Sequence, residues 1–179
     1  MRVIAGEYRG RRLCAPNTLE TRPVTDRVKE SLFSSLGDRV VAARVIDLFA
    51  GTGSLGIEAA SRGARSVTFV ESGREALRVL RENLGQLGIQ AQIVAGTVEK
   101  FVESVEEEFD LVFCDPPWRL GSQDIESILH RLSPRLPEGT LAVVTRRASD
   151  SVPHPKGFRI DDERRHGDTR IIRYEKEEE

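Results

Sequence analysis

At 179 residues, 39% hydrophobic and 31% charged, the chain has the size and composition of one globular domain with a sizeable core. Its net charge of −2 argues against a uniformly basic nucleic-acid binder, and no apolar run approaches the length of a membrane span. The start, Met1-Arg2-Val3-Ile4-Ala5-Gly6, lacks a signal-peptide core, and the two cysteines are Cys14 and Cys114, the second inside an apolar run, so a cytoplasmic protein without disulfides is expected.

The charge is unevenly placed. Residues 1–30 hold seven Arg or Lys against four acids, whereas the final Glu175-Lys176-Glu177-Glu178-Glu179 carries −3. A basic N-terminal segment on a near-neutral body suits local contact with phosphate. Residues 2–14 read as a short hairpin with turns at Gly6 and Gly10, from which Arg9, Arg11 and Arg12 project as a surface for gripping an RNA backbone. Tyr8 can stack on a base there or simply pack. A loop with Pro16 and Pro23 follows. A helix is then expected over about 26–36, capped by Thr25 or Asp26, with Val28, Leu32 and Leu36 on one face. The polar stretch Thr21-Arg22-Pro23-Val24-Thr25 can fold back over a cofactor, through Arg22 and Thr25, or serve only as helix entry; both readings stand.

From residue 45 onward, apolar strands at 45–50, 66–71, 90–95, 110–114 and 140–145 alternate with helices at about 54–62, 74–86, 98–105 and 123–132. That order predicts an α/β fold with a mostly parallel sheet. Residues 157–164 and 169–175 read as a terminal hairpin joined at Arg165-His166-Gly167-Asp168, so its second strand runs antiparallel to its first. If the first runs parallel to the strand at 140–145, the turn lies at the carboxyl edge of the sheet, where open α/β sheets bind ligands. Arg146, Arg147, Arg164, Arg165 and His166 would then rim the site and meet RNA phosphates, His166 as a turn or phosphate contact rather than a base.

The chain is organised around Gly51-Thr52-Gly53-Ser54-Leu55-Gly56. This turn matches the G-x-G-x-x-G dinucleotide pattern, and Glu71 follows at the distance of a ribose-binding acid. Asp47, inside the preceding strand, tilts the reading. A carboxylate there repels a pyrophosphate and attracts the ammonium of S-adenosylmethionine. Asp47, Phe49, Ala50, Gly51, Thr52 and Gly53, with Asp115 further along the chain, are therefore expected around that cofactor. Glu71 and Ser72 are expected at its ribose and Thr97 near its adenine. An NAD-dependent oxidoreductase is the distant rival.

Asp115-Pro116-Pro117-Trp118 is the sharpest signal. It follows the fourth strand, at the same edge as Gly51 and Glu71. Two prolines fix the backbone and remove two N–H donors, leaving acceptors, the Asp115 carboxylate and the Pro116 carbonyl. Acceptors aimed at one point suit an exocyclic –NH₂. Holding both its N–H bonds frees the nitrogen lone pair for attack on a methyl group, and Asp115 stabilises the positive charge that develops. Trp118 offers a flat face on which the base stacks once it is unpaired or flipped.

With these motifs in place, the chain resembles the RsmD-like family of methyltransferases, which modify guanine N2 in small-subunit ribosomal RNA. The resemblance rests on Arg2-Val3-Ile4-Ala5-Gly6, Tyr8-Arg9-Gly10-Arg11-Arg12-Leu13, Thr21-Arg22-Pro23 and Thr25-Asp26-Arg27-Val28-Lys29-Glu30. It continues in Asp47-Leu48-Phe49-Ala50-Gly51-Thr52-Gly53, Asp115-Pro116-Pro117 and Gly167-Asp168-Thr169. Three positions depart from the pattern: Trp118 stands where Phe or Tyr is usual, Val24 where Thr is, and Thr97 where an acid is. The resemblance implies a Rossmann-like class I methyltransferase fold, a seven-stranded sheet with a C-terminal antiparallel hairpin strand. An N-terminal hairpin and helix (1–40) would precede the cofactor-binding core (41–179) in a single domain. It implies S-adenosylmethionine as cofactor and 16S rRNA, within an assembling 30S subunit, as substrate of a monomer that needs no metal and no membrane. The same motif also fits methylation of another base amine, such as adenine N6, and a non-catalytic RNA-binding module is a further alternative.

Overall fold

The computed structural model describes residues 1–15 and 24–178. Arg22, expected at the cofactor, lies outside the described residues. The elements are α1 (Asp26–Leu36), β1 (Arg44–Leu48), α2 (Ser54–Ser61), β2 (Ser66–Glu71), α3 (Arg74–Leu87), β3 (Gln92–Ala95), α4 (Val98–Ser104), β4 (Leu111–Cys114), α5 (Ser122–Leu132), β5 (Leu141–Arg147), β6 (Phe158–His166) and β7 (Thr169–Lys176). They form one seven-stranded sheet in the order β3-β2-β1-β4-β5-β7-β6. Strands β1 to β5 pair in parallel, and β7 inserts antiparallel between β5 and β6. The hairpin turn accordingly lies at the carboxyl edge, as the strand directions require.

The strand pattern follows from burial on both faces. β4 (Leu-Val-Phe-Cys) is wholly apolar because helices cover both its sides. Val45, Leu111, Phe113 and Val143 face α1, α2 and α3. Ile46, Val112, Cys114 and Val144 face α4 and α5. α3 buries Leu77, Leu80, Leu84 and Leu87 at helical spacing and stops at Gly88, whose φ of +67° suits glycine. Ala76, one residue before Leu77, is only half-buried. The crossovers from β1 run to opposite sides of the sheet, to β2 and, through β3, back to β4. The crevice between the ends of β1 and β4 is therefore the topological switch point, where ligands bind in such sheets.

The N-terminal segment is a tighter object than a two-stranded ribbon. One antiparallel bridge joins Arg2 and Arg12, and turns fill residues 5–10. Its amides bond to the body instead of to a long partner strand. Ile4 and Ala5 N–H donate to Glu58 (2.8 and 3.0 Å), and Tyr8 N–H donates to Ser61 Oγ (3.0 Å). Tyr8 itself packs against the core. Lys29 of α1 and Glu58 of α2 form an ion pair at 3.4 Å, both side chains fully buried. Lys29 Nζ also donates to Arg2 O (2.5 Å) and Ser54 Oγ (3.2 Å), which ties the arm to the helix behind the glycine turn.

Candidate active site at the carboxyl edge of the sheet

The glycine turn leaves β1 at Leu48 and enters α2 at Ser54. Phe49 takes φ +59°, a left-handed backbone that is rare for a bulky residue and marks a strained, over-determined loop. Gly51 and Gly53 also carry positive φ. Gly56 is needed for another reason: a Cβ there would lie 2.3 Å from the Phe69 ring, so only glycine lets α2 approach β2 this closely. Asp47 is 2% exposed, and its Oδ2 accepts Gly56 N–H at 2.9 Å, anchoring the first turn of α2. Asn83 of α3 donates to Thr52 O (3.0 Å) and bonds Cys14 through its N–H and C=O, so the turn and the arm share one buried side chain.

Glu71 ends β2 with its carboxylate folded over the turn. Oε2 accepts Gly51 N–H (2.7 Å), and Oε1 accepts Ser72 N–H (2.9 Å) and Gly73 N–H (2.6 Å). Oε2 keeps one lone pair for a ligand hydroxyl, whereas Oε1 is filled by its two N–H bonds. Ser72 is exposed beside it. Thr97 stands at the same edge, exposed, and caps α4 through Lys100 N–H; Thr25 likewise caps α1 through Val28 N–H.

Asp115-Pro116-Pro117-Trp118 leaves β4 directly opposite this turn. Pro117 O accepts Leu120 N–H (2.9 Å), which closes the corner, while the Pro116 carbonyl takes no hydrogen bond among the described residues. Asp115 Oδ1 accepts the hydroxyl of Thr145, a buried residue of β5. Trp118 is 37% exposed and carries the Arg147 guanidinium over its ring, 4.4 Å from the centroid. Thr145 stands at this candidate site although the sequence does not mark it out. A threonine within an apolar strand reads as an ordinary β-former.

Three carboxylates thus crowd one edge. None of Asp47, Glu71 and Asp115 pairs with a basic side chain among the described residues. Burial pushes the Asp47 carboxyl well above the usual carboxylate range, the Gly56 N–H pulls it back, and Asp115 and Glu71 add repulsion. Burial also raises Asp115, against the Thr145 hydroxyl. Carboxyls gathered without a counter-ion fit a cationic ligand, whose charge favours their ionised forms, and oppose a pyrophosphate. A concavity of about 520 Å³ at the opposite edge, lined by Arg44, Arg65 and Glu108, offers no such grouping, since Arg44 is already paired with Asp110 and Glu108.

The raised Asp47 carboxyl has a consequence for stability. Its folded state holds a proton more tightly than the unfolded chain. Its stabilising contribution is therefore complete below the ordinary carboxylate pKa of about 4 and is lost as pH rises through the raised value. Asp47→Asn removes that loss. In ligand-free thermal melts the melting temperature of the variant relative to the parent is expected to increase as pH rises from about 4 towards neutrality. A constant difference would contradict this.

The expected RNA-contacting residues divide. Arg9, Arg11, Arg12 and Arg165 are exposed; Arg11 touches Gln86 O (3.2 Å) and Arg165 Nε donates to Gly167 O (3.2 Å). Arg164 is half-buried and paired with Asp162 (2.7 Å). His166 is half-buried with its Nε2 turned inside. Arg146 is a correction. It is 3% exposed and paired with Asp150 at 2.9 Å, because β5 continues through Arg147 and side chains alternate along it. Arg147, not Arg146, reaches the site.

A family model described as conserved hypothetical protein 95 matches residues 1–175. Ribosomal RNA small subunit methyltransferase D of Escherichia coli (strain K12) is 40% identical over 122 residues, covering 68% of this chain and 62% of that protein. The match thus spans a little under two thirds of that relative. Putative rRNA methyltransferase YlbH of Bacillus subtilis is 39% identical over 134 residues, 72% of each chain. Among solved structures, putative methyltransferase yhhF from Escherichia coli superposes with a TM-score of 0.89 at 33% identity, covering 100% of this chain and 99% of that one.

Proposed function

The chain belongs to the conserved hypothetical protein 95 family, in keeping with its RsmD-like motifs, and from that membership we propose that it methylates the exocyclic N2 amine of a guanine in 16S rRNA, using S-adenosylmethionine. One observation carries the reading: a rigid corner of acceptors, Asp115 and Pro116, faces the glycine turn across an edge where the Asp47 and Glu71 carboxyls accept only backbone N–H groups.

Asp47 holds the turn and, ionised, favours the ammonium of the cofactor; Glu71 takes a ribose hydroxyl on the remaining lone pair of Oε2. When bound, S-adenosylmethionine supplies an electrophilic methyl group on a sulfonium. Pro116 O and the free Oδ2 of Asp115 accept the two N–H bonds of the base amine, so that its lone pair points outward. Thr145 fixes Oδ1 and leaves Oδ2 to stabilise the charge that grows on nitrogen and to receive the released proton. Trp118 supports the base by stacking. Arg9, Arg11 and Arg12 of the arm and Arg165 at the hairpin turn contact phosphates. The 16S rRNA is met within an assembling 30S subunit in the cytoplasm, by a monomer.

Incubation with labelled S-adenosylmethionine and 30S particles lacking the modification, followed by nucleoside digestion and mass spectrometry, is expected to yield N2-methylguanosine. N6-methyladenosine would overturn the base assignment, and no transfer at all would overturn the activity.

A further inference from the structure

We propose that Arg147 reads the edge of the target base and separates guanine from adenine; the proposal rests on the N2-methylation reading above. Asp115 and Pro116 accept from any –NH₂, so the corner alone treats guanine N2 and adenine N6 alike. Discrimination needs a donor elsewhere on the base.

β5 supplies one. Thr145 and Arg147 are two residues apart on the strand and lie on one face of it. The first bonds Asp115 and the second covers Trp118, so one strand end addresses both working side chains of the corner. Arg147 is exposed, and among the described residues its guanidinium has no hydrogen-bond or ion-pair partner. Arg146 and Arg164, by contrast, are held by Asp150 and Asp162. The Arg147 guanidinium is held only by the Trp118 ring, through an exposed cation–π contact that is weaker than a stacked base. A base settling on Trp118 displaces it from the ring face and leaves its N–H donors at the base edge. Guanine held by N2 turns O6 and N7 there, two acceptors that match a guanidinium fork; adenine held by N6 has its –NH₂ in the corner and turns N3 and C2–H away from it, a single acceptor.

The test compares RNA carrying guanine at the target position with the same RNA carrying 2-aminopurine, which keeps the 2-amino group and lacks O6. The parent enzyme and Arg147→Met are assayed by single-turnover methyl transfer, with thermal melting to verify folding. The parent is expected to favour guanine by about 5- to 150-fold in kcat/KM. Arg147→Met lowers transfer to the guanine RNA by more than transfer to the 2-aminopurine RNA, which keeps only N7 for the guanidinium, and so narrows the preference of the parent. Equal losses on both RNAs, as from a phosphate contact, or a ratio that persists in the variant, would overturn the role of Arg147 while the methylation reading stands. No transfer to guanine RNA by the parent overturns both.

Discussion

Asp115→Ala is expected to lower the rate of methyl transfer by about 10²- to 10³-fold while S-adenosylmethionine affinity changes little. The carboxylate sits where positive charge develops and makes no bond to the glycine turn, so its loss falls on the chemical step. Its pH dependence follows from its surroundings. Burial raises the carboxyl above the usual range, and the Thr145 hydroxyl, which bonds the charged form, pulls it back. Among the described residues the other charged groups at that edge are Asp47 on β1, Glu71 on β2 and Arg147 over the Trp118 ring; Arg146 lies on the opposite face of β5. Because activity needs the ionised form, the acid limb of the pH–rate profile lies above that of an ordinary carboxylate. Thr145→Val removes a bond to the charged form, so the limb moves to higher pH, and Thr145→Ser restores it. Asp115→Ala with near-parental turnover would remove Asp115 from the mechanism. An unmoved limb in Thr145→Val would remove Thr145.

The largest effect on stability is expected from Glu58→Ala, a loss of about 3–5 kcal/mol in urea denaturation. The side chain accepts from two arm amides and from Arg62 Nε (2.8 Å), and it faces the buried Lys29 ammonium. Burial pulls Lys29 below the ordinary lysine value, and Glu58 is the first group opposing that shift. Truncation strands the ammonium and leaves the arm amides without their acceptor. Lys29→Met combined with Glu58→Leu removes the stranded charge as well, and recovers part of the loss. A loss below about 1 kcal/mol for Glu58→Ala, the scale of an exposed pair, would show that the arm is held by other contacts.

Most of the sheet was legible because its apolar runs are short and bounded by glycine or proline; β2 and α1 were placed at their observed limits. The Asp47 turn and the Asp115 corner were legible because each breaks an apolar strand with an acid. What the chain did not disclose depends on strand parity and tertiary approach. Two adjacent arginines look equivalent in sequence, yet pairing of β5 with β7 through Arg147 buries the first and aims the second at Trp118. Lys29 counted as part of the basic N-terminal charge. Its spacing to Phe33 and Leu36 places it on the inward face of α1, a signal that could have marked it as buried.

The account depends on where the methyl donor and the amine acceptors meet. A crystal structure of the protein with S-adenosylmethionine measures this directly. The expected result has the cofactor over the Gly51–Gly53 turn, its ribose on Glu71 and its methyl facing Asp115 and Pro116 across the gap a base amine would fill. A cofactor bound away from that turn, or one whose methyl faces away from the Asp115–Pro116 corner, would contradict it.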